Sequence, residues 1–131
     1  MTISILYFSG TGNSAWVATQ LAARLQDFGE TAELRCVEDG HREDISPDPD
    51  GMLGMVFPVH SSRPPSVFEE AMDSLPEADG TAVFAVTTAG FAAGDTAWFA
   101  VKRLESSGYR PFLWTNVVMG NNLHLPALSP L

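Results

Sequence analysis

Short apolar runs along this chain alternate with longer stretches in which apolar residues recur every three or four positions. The first run, Ile3-Ser4-Ile5-Leu6-Tyr7-Phe8, reads as a buried strand. Ala15, Trp16, Val17, Leu21, Ala22 and Leu25 then recur at helical spacing, which predicts a helix from about Gly12 to Phe28 with Gly29 as its stop. Thr31 to Val37 alternates, with Ala32, Leu34 and Cys36 on one side and Glu33 and Arg35 on the other, as in a half-buried strand at a sheet edge. Residues 38 to 50 are polar and carry Pro47 and Pro49, so they read as a surface loop with at most one helical turn. Met52 to Val59 and Thr81 to Thr88 are nearly continuous apolar runs, the pattern of central strands buried on both faces. Between them Pro64 and Pro65 open a helix with Val67, Phe68, Ala71, Met72 and Leu75 inward, and Pro76 stops it. Asp95 or Thr96 is placed to cap a further helix, with Trp98, Val101 and Leu104 inward, that ends before Gly108. Tyr109 to Met119 supplies a fifth strand, and 120 to 131 is a tail punctuated by proline.

Strands that alternate with helices imply right-handed crossovers onto a parallel sheet, and ligands of such sheets sit beyond the carboxyl ends of the strands. The expected fold is α/β, a three-layer sandwich around a five-stranded parallel sheet, forming one domain over residues 1–131 with no repeat and no linker. Every loop rich in glycine or polar residues, at 9–14, 58–63, 88–94 and 119–122, follows a strand. These loops should therefore converge on one rim.

The first of them, Ser9-Gly10-Thr11-Gly12-Asn13-Ser14, joins a strand to a helix and offers backbone N–H groups at the positive end of a helix dipole. It is not a Walker loop, because no Gly-Lys-Ser/Thr follows. Gly10, Gly12 and Ala15 match Gly-x-Gly-x-x-Ala, a dinucleotide fingerprint that also wants a carboxylate after the second strand, where Glu38 stands. The hydroxyls of Ser9, Thr11 and Ser14 suit a phosphate monoester better, since three terminal oxygens reward a donor at every other position. The plain alternative is a turn capped by Ser9 or Asn13.

Residues 8 to 14, Phe-Ser-Gly-Thr-Gly-Asn-Ser, resemble the phosphate loop of the flavodoxin family, and most closely that of flavodoxin-like domains which in some proteins precede a ferredoxin module. Phe57-Pro58-Val59-His60 and Val118-Met119-Gly120-Asn121-Asn122 resemble that group's later cofactor loops. The resemblance implies a flavodoxin-like sandwich and an FMN cofactor. Ser9, Gly10, Thr11, Gly12, Asn13 and Ser14 would hold its phosphate. Pro58, Val59, His60, Ser61, Thr88, Ala89, Gly90, Phe91 and Asn121 would hold its ring. His60 stands where the resembled domains usually carry an aromatic such as tyrosine, and Phe91 is the candidate for the second ring face. It further implies low-potential electron transfer. Two other classes stay open: a flavin-dependent quinone or NAD(P)H oxidoreductase, and a non-catalytic phosphate- or nucleotide-binding module.

The 131 residues carry 7 Lys and Arg against 16 Asp and Glu, a net charge of -9. That balance argues against nucleic acid or an anionic membrane as partner and suits a redox partner with a basic docking face. Arg63 is the one basic residue in the four loops, and a surface ion pair is the competing reading for it. The lone Cys36 reads as a buried, inert thiol, consistent with a reducing cytoplasm, and the first apolar run is too short for a signal peptide or a membrane span. His41, His60 and His124 have no metal-ligand spacing, Glu43-Asp44 and Glu69-Glu70 read as solvated faces, and Trp98 and Trp114 read as core, with Trp16 the exception to watch because it lies in the first helical turn beside the phosphate loop. A flavodoxin ends on a helix that covers part of one sheet face. Pro126 and Pro130 leave little room for one here, so the final helix is expected to be missing and a homodimer or a C-terminal module to take its place.

Overall fold

Period-two alternation sends the side chains of each strand to opposite faces, and two separate cores follow from it. The computed structural model describes residues 1–8, 12–37, 46–59, 63–89 and 95–118. Among them the order is β1 (Thr2–Tyr7), α1 (Asn13–Asp27), β2 (Thr31–Cys36), β3 (Met52–Pro58), α2 (Ser66–Asp73), β4 (Ala82–Ala89), α3 (Thr96–Glu105) and β5 (Arg110–Val118). All neighbouring strands are parallel, in the order β2-β1-β3-β4-β5. The chain steps outward from β1 to β2 and then crosses to the other side of β1 for β3. The carboxyl ends of β1 and β3 therefore flank the point where the strand order reverses.

On one face Ile3, Ile5, Val56, Phe84 and Val86 pack against Ala18 and Ala22 of α1. The small residues of α1 let the helix sit close on the sheet. Gly54 helps in the same way, because a Cβ there would lie 2.2 Å from the Phe84 ring. On the other face Leu6, Leu53, Met55, Phe57, Val83 and Ala85 meet Phe68, Ala71 and Met72 of α2 and Ala97, Ala100, Val101 and Leu104 of α3. Phe57 and Phe68 pack with ring centroids 4.7 Å apart. Outside this core, Arg103 bonds Glu69 at 3.3 Å and Asp73 at 2.6 Å, tying α3 to α2. Below it the Tyr109 hydroxyl donates to the Pro76 carbonyl at 2.9 Å, and burial raises its pKa above 10.0.

The strands, the helices and the edge position of β2 follow the periodicity, while several single residues do not. Trp98 is half-buried rather than inward: the positions directly over β4 and β5 are taken by Ala97, Ala100 and Val101, and the indole lies on the helix flank, edge-on to Phe99. Trp114 is 45% exposed because β5 is an edge strand. Cys36 is half-buried, since β2 is the other edge. Asp95 occupies the N-cap of α3 without a side-chain cap bond, its φ of -102° and ψ of 19° lying outside the extended region that capping requires. Strand β5 breaks its alternation near the start: Val83 pairs with Pro111 but Phe84 with Leu113. Phe112 is thus an extra residue, and its ring meets Phe84 edge-on at 5.9 Å. Residues 38–45 of the acidic loop, and the tail from 119 onward with its expected lack of a helix, lie outside the described residues. Among the described residues no helix is long and apolar enough to cross a membrane.

Candidate functional site

α1 starts without a side-chain cap among the described residues. Its N-cap is Gly12, at φ 95° and ψ -20°, a left-handed conformation that a Cβ would strain. A side chain at Gly12 would meet nothing within 4 Å, so the glycine answers to backbone conformation rather than crowding. Its carbonyl accepts from the Trp16 N–H at 3.0 Å, which begins the helical ladder. The N–H groups of Asn13, Ser14 and Ala15 therefore have no carbonyl within the helix to donate to. No acidic side chain lies in the first turn, and Arg24 lies in the last. The dipole's positive end is thus left for an anion. The alternative of a turn capped by Asn13 does not hold, because Asn13 is the first helical residue and Gly12 the cap.

A buried hydroxyl pair pins this helix start to the sheet. Ser14 Oγ and Thr88 Oγ1 are 3.1 Å apart, and both residues are 2% exposed. Two hydroxyls bring two protons to one mutual bond, so one O–H of the pair keeps its proton for a further acceptor. The strand ends beside it are knitted together by backbone bonds. Phe8 N–H donates to Val56 O at 3.1 Å, and Val59 N–H to Thr88 O at 3.1 Å. Thr87, on the opposite face of β4, donates to Asn116 Oδ1 of β5 at 3.0 Å.

Of the residues expected to hold a cofactor, Gly12, Asn13, Ser14, Pro58, Val59, Thr88 and Ala89 stand at the start of α1 and the carboxyl ends of β3 and β4. Ser9, Gly10, Thr11, His60, Ser61, Gly90, Phe91 and Asn121 lie outside the described residues, as does Glu38. Arg63 makes the surface ion pair, donating to both carboxylate oxygens of Glu69 at 3.1 and 3.0 Å. Sequence reasoning did not foresee the bond between Ser14 and Thr88, which joins positions 74 apart, nor that between Thr87 and Asn116. The available signal was a pair of threonines closing an otherwise apolar strand. Among the described residues no three His, Cys, Asp or Glu side chains group as metal ligands.

No protein-family model matches the chain, and no curated protein does either. Solved structures do match. A two-electron reduced flavodoxin from Megasphaera elsdenii is 24% identical with a TM-score of 0.76, over 92% of this chain and 89% of that one. A flavoprotein in complex with FMN from Lactobacillus acidophilus is 14% identical with a TM-score of 0.59, over 88% and 92%. The flavodiiron core Flv1 from Synechocystis is 14% identical with a TM-score of 0.71, over 94% of this chain but 32% of its own length. This chain thus spans about a third of that flavodiiron core. The strand order, the crossovers and these neighbours together establish a flavodoxin-like α/β fold.

Proposed function

We propose that this chain binds FMN at the rim formed by β1, β3, β4 and the start of α1, and that it serves as an electron carrier. The observation that carries the reading is the N-terminus of α1, which has no side-chain cap among the described residues, with left-handed Gly12 leading into it and the buried Ser14–Thr88 hydroxyl pair beside it. Such a donor set suits a dianionic monoester: it offers N–H groups, a residual O–H and no acid in the first turn. Ser9, Thr11 and Asn13 would complete the phosphate cradle from the same loop. Pro58, Val59, Ala89 and the residues after them would flank the ring. Bound flavin supplies one- and two-electron redox chemistry. The protein's part is to bind, orient and tune it. With net charge -9, the surrounding field disfavours added negative charge on the cofactor, which lowers its potential and suits a partner with a basic docking face. The flavodoxin and FMN-bound flavoprotein among the structural neighbours support this reading at the level of fold.

The test is a titration of the purified protein with FMN and with riboflavin, followed by flavin fluorescence. Thr11→Val keeps the side-chain shape and removes a donor to a charged acceptor, a loss of about 1.5 to 3 kcal/mol. FMN affinity should therefore fall tenfold or more while riboflavin affinity stays put. Equal losses for both ligands overturn the phosphate assignment, and failure to bind FMN at all favours a phosphate-binding module. Steady NADH or NADPH oxidation with a quinone moves the reading from carrier to oxidoreductase.

A further inference from the structure

The sheet fixes the backbone of Thr88 from both sides. It stands in register between Pro58 of β3 and Val117 of β5, and its carbonyl accepts from the Val59 N–H at 3.1 Å. Its side chain lies on the α1 face, two residues after Val86, which shares a core with Ile5 and Ala18. Its one hydrogen-bond partner among the described residues is Ser14, with the two hydroxyl oxygens 3.1 Å apart. Ser14 is the second residue of α1, so it lies among the first-turn N–H groups that no helical carbonyl receives. The surroundings of each oxygen set the direction of the bond. A proton left over on Thr88 has the apolar side chains of Pro58, Val86 and Val117 as its neighbours in the sheet. A proton left over on Ser14 stands beside N–H groups that gather an anion. With an anion at the helix start, Thr88 therefore donates to Ser14 and Ser14 donates to the anion, each bond polarising the next.

We propose that Thr88 is a positioning residue for a phosphate monoester: it acts through Ser14, donating to Oγ so that the Ser14 proton is turned toward the anion at the start of α1. Thr88, expected from the sequence among the residues that hold the ring, is assigned to the phosphate instead. A serine hydroxyl left to itself rotates about its Cβ–Oγ bond and gives up that freedom on binding. One whose oxygen already accepts a bond keeps its proton in a restricted set of directions, and less is lost when the ligand arrives. The strand end is the rigid partner for this, because the Thr88 backbone moves only with β3 and β5. The effect acts on the charged group alone. A flavin without a phosphate gains nothing from it, so Thr88 sets the preference for FMN over riboflavin without touching either. The inference rests on the reading of this rim as an FMN site and adds the residue that orients its phosphate donor.

Fluorescence titrations with FMN and with riboflavin test it, in the original chain, Thr88→Val, Thr88→Ser, Ser14→Ala and the double variant Thr88→Val with Ser14→Ala. Ser14→Ala should weaken FMN binding about tenfold or more and Thr88→Val about three- to tenfold, with riboflavin affinity held within about twofold. Thr88→Ser keeps the donor and should keep the preference for FMN. The double variant should bind FMN no more weakly than Ser14→Ala, since Thr88 then has nothing to act through. The phosphorus NMR resonance of bound FMN should move in Thr88→Val and return in Thr88→Ser. If Thr88→Val does not fold, Thr88→Cys supplies a weak donor in its place and should show a smaller loss of the same kind. A double variant weaker than Ser14→Ala by the whole Thr88→Val loss overturns the proposal, by showing that Thr88 meets the ligand directly. Equal losses for both flavins overturn it by reducing Thr88 to packing. An original chain that prefers FMN, with the preference intact in Thr88→Val, overturns the proposal and leaves the FMN reading standing. An original chain that binds the two flavins equally removes the phosphate reading and the proposal with it.

Discussion

The face of the sheet under α2 and α3 and the face under α1 are built from the same strands, residue by residue in alternation, yet they are closed to different degrees. Under α2 and α3 the core runs from Leu6 across to Tyr109, contains the Phe57–Phe68 stack, and is strapped outside by Arg103, Glu69 and Asp73. Under α1 the core is smaller, Phe112 and Leu113 meet solvent, and the helix start is held by one buried hydroxyl pair. Where apolar cover is thin, a polar bond takes on part of the work of positioning. That the bond sits beside the candidate phosphate site means one contact serves both the packing of α1 and the placing of its donors.

The contrast is broken most directly by truncating one large side chain on each face. Phe68→Ala removes a ring that is 0% exposed and should cost about 3–5 kcal/mol in urea denaturation. Leu113→Ala should cost no more than about 0.5 kcal/mol, as expected for a surface position. Similar losses at both sites would mean that the two faces are equally closed. Next in size is the hydroxyl pair. Thr88→Val keeps the volume but strips Ser14 of its partner, at a cost of about 1–3 kcal/mol. The double variant with Ser14→Ala should cost less than the two single changes added together. Additive losses would show that the two hydroxyls act independently, and the α1 face would lose its polar anchor.

The smallest effect belongs to the closed face and emerges only in alkali. Burial raises the Tyr109 pKa in the folded chain above its ordinary 10.0, so between the two values the folded state holds a proton that the unfolded state has released. Stability from this group is complete below pH 10.0 and declines as pH rises through the folded value. Tyr109→Phe should remove that decline, leaving the remaining pH profile unchanged. If denaturation midpoints of the two proteins fall in parallel above pH 10.0, the tyrosine is not the cause.

The elements were legible because hydrophobic period is a local property of the chain. Ile3, Ile5 and Leu6, or Val83 to Val86, take their faces from the pleat alone, and Gly29 and Pro76 lie just beyond the helices they were expected to end. The start of α1 directly after the glycine-rich stretch was legible for the same reason. The exposure of Trp98, Trp114 and Cys36 was not, because a large apolar residue looks the same whether a neighbour covers it or not. Nor was the register shift at Phe112, which depends on how β5 meets β4 rather than on either strand by itself.

By itself, then, the sequence determined the order and type of the elements and the parallel sheet they imply, all of which follow from local periodicity and turn chemistry. Tertiary structure alone decided that Ser14 meets Thr88 from 74 positions away, that a left-handed Gly12 rather than Asn13 caps the start of α1, and that a groove opens between α1 and strands β4 and β5. Those outcomes depend on the distances between elements once they pack, and no single stretch of the chain encodes such a distance.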